Sequence, residues 1–317
     1  MSATLLNRGR IKQAFAQAIE ANPLAQVVGS IANEITSDVQ SERYAVPFAT
    51  PRFTERKGPK TNELLGAYTF DVANKLYDAA VAIEDLDALF DQTGVWNTVV
   101  GELAESAALL KWELLVEQMN NGNGAGYLSY DGQYFYDTDH SIGLSGTQVN
   151  NVTNSHVPVL DVTTTSNVTP EEMSDILTKC AAYMMGYKDD KGRPTNRMIR
   201  KFVAVLPTAM FGSGLTAIYA NNLTSGKTNI IPALSAGGYS FDVVIEPDLS
   251  SSTVGYLHAV VDSRKPFILQ TARDFRPHIL DDTSEHYTKT GEMLARADWV
   301  GRAGRGEFLR SMRFTVS

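Results

Sequence analysis

Asp137-Thr138-Asp139-His140 sets two carboxylates and an imidazole within four residues. It closes the stretch Leu128–His140 (LSYDGQYFYDTDH), which also carries Asp131 and four aromatic residues. These side chains are ligands for a hard divalent ion, and Asp137, Asp139 and His140 would be the metal set of a metal-dependent enzyme. Neighbouring ligands in such tight spacing need a third or fourth partner from elsewhere. No HxxxH pair, CxxC pair or EF-hand loop is present to supply one. The structural alternative is a tight turn at Asp131-Gly132, with Tyr134–Tyr136 packed and Asp137 and Asp139 capping backbone amides.

Other motifs fall short of chemistry. Ser225-Gly226-Lys227-Thr228 imitates the end of a phosphate-binding loop, but Asn221 stands where that loop needs its first glycine. Gly122, Gly124 and Gly126 follow a helix, whereas a dinucleotide fingerprint opens one, so they read as a flexible helix exit. Gly301, Gly304 and Gly306 read as bulges or bends in a C-terminal strand region. His156, His258, His278 and His286 have no spacing that pairs them with a nucleophile. Cys180, the single cysteine, falls mid-helix among apolar residues and reads as a buried, inert thiol. No catalytic residues and no cofactor are expected.

The elements that hold these residues are legible in outline. Gln92–Asn121 repeats apolar residues at helical spacing, and Asn121-Gly122 supplies the stop. Glu102, Glu105, Glu113 and Glu117 share one arc of that helix, with no Lys or Arg four residues after any of them. Pro47–Leu65 (PFATPRFTERKGPKTNELL) cannot be helical, because Pro47, Pro51, Gly58 and Pro59 interrupt it. Arg52, Arg56, Lys57 and Lys60 make it a basic, extended excursion between strand-like stretches. Tyr68–Ile83 ends in an alternating strand pattern, and Leu144–Thr169 reads as surface loops with short strands. Thr169-Pro170-Glu171-Glu172 forms a capping box that opens a helix running to about Met185-Gly186. Asp189–Pro194 is a turn, and Phe202–Leu206 is a buried strand before Pro207 opens a short helix. Tyr239–Ile245 and Gly255–Val261 are further strands, and the pattern is extended from Lys265 onward.

Composition narrows the functional classes. The 317 residues carry a net charge of −8, against a nucleic-acid reader or an anionic membrane surface. Residues 289–317 hold six Lys/Arg and three Asp/Glu, so this end is +3 and the remainder −11. A lone cysteine excludes an intrachain disulfide, and no apolar run approaches the roughly 18–20 residues needed to cross a bilayer. Arg8, Arg10 and Lys12, with Leu5, Ile11, Phe15 and Ile19, give the N-terminus a transit-like pattern. An amphipathic arm docking on something else has the same pattern and is the favoured reading.

Five blocks taken in order resemble the Mu-type major head subunit family of tailed bacteriophages. They are Ser41-Glu42-x-Tyr44, GAYTFDVANKLYDAAVAI, the long helix, YDGQYFYDTDHS and KPFILQTARDF, spanning about Gln40 to Gln270. The resemblance implies an α+β, HK-97-like phage capsid fold. On that plan residues 1–44 are an N-terminal arm, 45–67 an extended loop, and 68–127 a peripheral domain with its spine helix. Residues 128–256 would be the axial domain, and 257–317 a return to the peripheral domain. The implied function is a major capsid protein forming hexamers and pentamers of an icosahedral shell around double-stranded DNA, found in the virion and assembled in the host cytoplasm. Implied partners are other copies of the chain, a separate scaffolding protein, a portal protein and a decoration protein. The scaffold is expected to be separate because the chain begins almost directly with the arm.

Charge adds an expectation of its own. Arg52, Arg56, Lys57 and Lys60 of one copy would meet Glu102, Glu105, Glu113 and Glu117 of a neighbour. The competing readings are an encapsulin-type nanocompartment shell, a metal-dependent enzyme using Asp137, Asp139 and His140, and a tail or tube protein.

Overall fold

The computed structural model describes residues 8–47, 66–84, 95–223, 228–262, 264–280 and 283–317, together with 55, 58, 87 and 226. Helix α1 (Arg8–Ala21) and the short α2 (Ala25–Ile31) lead into strand β1 (Ala32–Thr36). Strands β2 (Ser41–Pro47) and β3 (Ala67–Ala73) form an antiparallel ladder from Ser41↔Ala73 to Pro47↔Ala67. The basic excursion therefore leaves and returns at the end of a paired stalk, while Arg52, Arg56, Lys57 and Lys60 lie outside the described residues.

Strand β4 (Lys75–Glu84) precedes the dominant element, α3 (Val95–Asn121). Its 27 residues make a rod of about 40 Å at 1.5 Å per residue. The expected start at Gln92 falls in a stretch that is not described. The two halves of α3 serve different cores. Val100, Leu103, Ala104 and Ala107 pack with Ile83, Ile279, Met293, Ala295 and Ala297. Trp112, Leu114, Leu115, Val116 and Met119 join a much larger apolar cluster. One rigid helix thus ties two cores together.

Around the larger core come the short strands β5 (His140–Ser141), β6 (Thr147–Gln148) and β7 (Asn151–Val152), then α4 (Pro170–Met185) and β8 (Lys201–Leu206). Helices α5 (Phe211–Tyr219) and α6 (Ile230–Ser235), β9 (Ser240–Ile245) and β10 (Val254–Val260) follow. The chain ends with β11 (Phe267–Leu280), α7 (Glu285–Thr290), β12 (Glu292–Arg305) and β13 (Ser311–Thr315). Among the described residues the two larger sheets run β1-β11-β12-β4 and β7-β13-β10-β8-β9. Strands β8 and β10 are buried along nearly their whole length, as expected of strands covered on both faces.

α4 begins as the capping box requires. Thr169 Oγ1 accepts from the Glu172 amide at 3.3 Å, and Glu172 Oε2 accepts from the Thr169 amide at 2.9 Å. The turn at 189–194 is held by Asp189 Oδ1, which accepts from the amides of Lys191 and Arg193.

Residues 257–317 divide between the two larger sheets: β11 and β12 enter the four-stranded sheet, and β13 pairs with β10 in the other. Three expectations are corrected. α1 packs on its own chain: Phe15 is buried against the first half of α3, and Asn22 Nδ2 donates to the Ala108 carbonyl at 2.6 Å. Gly122 is not a flexible exit, because a β-carbon there would stand 2.7 Å from the Tyr136 ring. Gly301 and Gly304 pair regularly in β12, and the register shifts lie between Thr271 and Arg276 of β11. Glycine is needed at 301 for close approach: a β-carbon would meet the Gln270 carbonyl at 2.2 Å.

Candidate assembly surface

The Leu128–His140 stretch is a bracket between the end of α3 and the core. Phe135 and Tyr136 are fully buried, and Tyr136 Oη lies 2.7 Å from Ser311 Oγ. Tyr130 Oη donates to Glu307 Oε1 at 2.5 Å. Tyr134, expected to pack with them, is exposed. His140 is completely enclosed. Its Nδ1 is 2.6 Å from Asp131 Oδ2, its Nε2 is 3.2 Å from Asn150 Oδ1, and its ring stacks on Phe308 at 3.9 Å. Asp137 accepts from the amides of Tyr134 and Thr138, as a capping residue should. Asp139 instead accepts from the side chain of Gln133 at 3.3 Å.

Both ring nitrogens are buried against protein oxygens at hydrogen-bonding distance, so neither is open to a metal. Among the described residues no group of three or more His, Cys, Asp or Glu is placed to hold one. Asp137, Asp139 and His140 are in sequence proximity without sharing a coordination point. The partner that matters is Asp131, which local turn chemistry alone had singled out.

The acidic face of α3 is present as expected: Glu102, Glu105, Glu113 and Glu117 are all exposed, while Leu103, Ala104, Ala107, Ala108, Trp112 and Leu114–Val116 between them are buried. Its neighbours were not foreseen. Glu246 is 6% exposed; its Oε2 accepts from the Trp112 indole, and its Oε1 accepts from the Asp248 amide at 2.9 Å. Partial burial, followed by the charges of Asp248 and Glu246, pushes the Glu113 carboxyl above its ordinary range. Glu117 is partly compensated within the chain, because Tyr127 Oη donates to it at 2.7 Å and Arg305 lies over the Tyr127 ring at 5.3 Å. Lys111 pairs with Glu34 at 3.6 Å on the same helix. Crowding is therefore sharpest at Glu113. Glu246 and Asp248 lie more than 130 positions from Glu113, and only a long-range contact signal in the sequence would have found them.

The family model for the Mu-like prophage major head subunit gpT matches residues 6–171, which is 166 of 317 residues. The chain belongs to this family. The Mu-like prophage FluMu major head subunit of Haemophilus influenzae is 32% identical over 126 residues, covering 39% of this chain and 40% of that protein. The matched stretch thus spans about two fifths of that relative. The procapsid of bacteriophage JBD30 superposes with a TM-score of 0.53 at 16% identity, covering 98% of this chain and 74% of that one. The capsid of Ralstonia phage GP4 gives 0.55 at 10% identity, covering 91% and 88%. This gpT-family chain has the HK-97-like capsid fold, in which α3 is the long helix that joins two cores. The Leu128–His140 block lies within the matched region, where it serves as internal bracing.

Proposed function

We propose that this chain is the major capsid protein of a phage head, tiling as hexamers and pentamers into an icosahedral shell around double-stranded DNA. The observation that carries the reading is the match of residues 6–171 to a head-subunit family, on a chain whose fold is that of capsid subunits. The working parts are surfaces, and each contact needs little free energy because a closed shell repeats it many times.

The contact favoured by charge runs between Arg52, Arg56, Lys57 and Lys60 of one copy and the Glu102, Glu105, Glu113 and Glu117 face of the next. Exposed ion pairs contribute roughly 0.2–1 kcal/mol each, so their main effect is on register and partner choice. The crowding of Glu113 with Asp248 and Glu246 supports this placement, since an incoming cation would relieve it. A net charge of −8 suits a container for DNA, because a strongly basic lining would hold the duplex and hinder its passage. A separate scaffolding protein, a portal and a decoration protein complete the proposed partners. The saturation of His140 argues against the metal-enzyme alternative.

Electron microscopy of the protein co-expressed with its genomic neighbours tests the reading directly, and closed particles are the expected result. Replacing both Lys57 and Lys60 by Glu should abolish those particles while the subunit keeps its wild-type circular dichroism. Normal shells from that variant would remove the charge contact, and a wild-type chain that never assembles would remove the capsid reading itself.

A further inference from the structure

The face of the four-stranded sheet turned away from α3 carries a second charged surface. In the β11–β12 ladder Arg276 stands opposite Asp298, His278 opposite Arg296, and Leu280 opposite Leu294. Side chains alternate across a strand, so these six share one face, while Phe275, Ile279, Ala295 and Ala297 pack toward α3. A concavity of about 380 Å³ opens between the six and Arg273.

Its charge is directed outward. Asp298, 6% exposed at the side chain, is engaged by Arg273 and by His278 Nε2 at 2.9 Å. Arg296 reaches Asp78 of β4 at 3.0 Å. Arg276 is exposed and has no hydrogen bond or ion pair among the described residues. Arg273 is paired with Asp298 and Arg296 with Asp78, so the three guanidinium groups and two carboxylates leave 3 − 2 = +1, carried by Arg276. Leu280 and Leu294 supply an apolar end.

Residues 84–91, Glu-Asp-Leu-Asp-Ala-Leu-Phe-Asp, have the complementary character: four acids, no Lys or Arg, and three large apolar residues. Within one copy, α3 packs on the sheet face opposite the concavity, through Val100, Leu103, Ala104 and Ala107 against Ile279, Ala295 and Ala297. We propose that the Arg273/Arg276/Arg296 concavity is a dock for residues 84–91 of a second copy. The carboxylates of that segment meet Arg276 and Arg296, and its apolar residues meet Leu280 and Leu294. The inference rests on the shell-subunit reading and names one of its contacts. Dock and docked segment are different parts of one chain, so the contact is head-to-tail, the kind that closes rings.

A disulfide test separates a contact between copies from one within a copy. Full-length chains carrying Arg276→Cys or Asp87→Cys are co-expressed, and the particles are oxidised and run on a non-reducing denaturing gel. A two-chain band is expected from mixed particles and not from either variant alone, since Cys180 is buried. Particles without that band overturn the dock, as does a doubly substituted chain that only closes a loop within itself. Arg276→Glu should weaken the contact about fivefold, the upper range for an exposed pair, and Asp85→Arg with Asp87→Arg should restore it. Particles of Arg276→Glu that form normally but retain less DNA would instead make this face a phosphate-binding surface, which also overturns the dock. Wild-type chains that never form particles refute the shell reading instead, because the cross-link can still be scored on soluble oligomers.

Discussion

His258 should make the isolated subunit sensitive to mild acid, by an amount the structure sets. It lies in the middle of β10 with no exposed surface. Nδ1 is 3.0 Å from Ser311 Oγ, and Nε2 has no partner among the described residues. The rings of Phe267 and Tyr256 border it at 5.5 and 6.4 Å, and neither offers a charge. Burial alone pushes its pKa down from 6.5 to about 3. The folded state therefore refuses a proton that the unfolded chain accepts. Native stability is untouched above pH 6.5 and is lost as pH falls through the window from 6.5 toward 3. At about 1.4 kcal/mol per pH unit the full loss approaches 5 kcal/mol, of which about 3 kcal/mol is incurred by pH 4. Domains are stable by only about 5–15 kcal/mol, so this one ring has large leverage. The perturbation is His258→Gln, which keeps a polar partner for Ser311 and does not titrate. Urea denaturation of unassembled subunits at pH 7 and pH 4 should show wild type losing about 3 kcal/mol more than the variant, because carboxylate titrations common to both cancel. Equal losses, or a folded-state imidazole titrating near 6.5 by NMR, would refute the reasoning.

Four further outcomes are expected. Gly301→Ala should destabilise by about 1–3 kcal/mol or more, read as a lowered denaturation midpoint, because its β-carbon would meet the Gln270 carbonyl and the Trp299 ring at 2.2 and 2.4 Å. Thr169→Ala should cost about 1 kcal/mol in thermal melting through loss of the α4 cap. Burial would raise the Glu172 carboxyl, but the amides and hydroxyls of Thr163 and Thr169 outweigh it and hold the carboxyl at about 2. That stabilisation is present above pH 4.5 and lost as pH falls toward 2, so Glu172→Ala should flatten the acid limb of a stability profile. Burial pushes the Cys180 thiol up to about 12, so a thiol reagent at pH 8 should label it only after denaturant is added.

Where a residue acts on its own backbone neighbourhood, the sequence was sufficient. Thr169, Pro170 and Glu172 determine a helix start through contacts three residues away, and Asp189 closes its turn within four. The 3.6-residue period revealed α3 because a helix repeats its buried face many times. What the sequence left open has a different cause. The metal alternative for Asp137, Asp139 and His140 rested on adjacency in sequence, which is not convergence in space. The imidazole turned instead to Asp131 and Asn150, and stacked on Phe308 from the far end of the chain. Gly122 read as part of a flexible exit and Gly301 as a bulge or bend, since sequence shows a missing side chain but not the ring or carbonyl that requires it to be missing. The acidic character of α3 was legible. Its sharpening by Glu246 and Asp248 was not, because that depends on how β9 and the loop after it meet Trp112.

On the proposed shell role, the two charged surfaces would impose a direction on assembly. The acidic face of α3 and the basic concavity on β11 and β12 lie on opposite sides of one sheet, with the Val100–Ala107 core between them. A subunit built this way presents unlike charge on its two sides, so a copy turned end over end would bring like charges together. Such repulsion selects among orientations even when each correct pair adds well under 1 kcal/mol. The rigidity needed to use that selection comes from α3, whose two halves are locked into separate cores and cannot swing independently. Weak, oriented contacts on a stiff frame also let a misplaced copy leave before a shell closes over it. Strong apolar contacts would trap that copy in place, and the chain concentrates its apolar area in its interior.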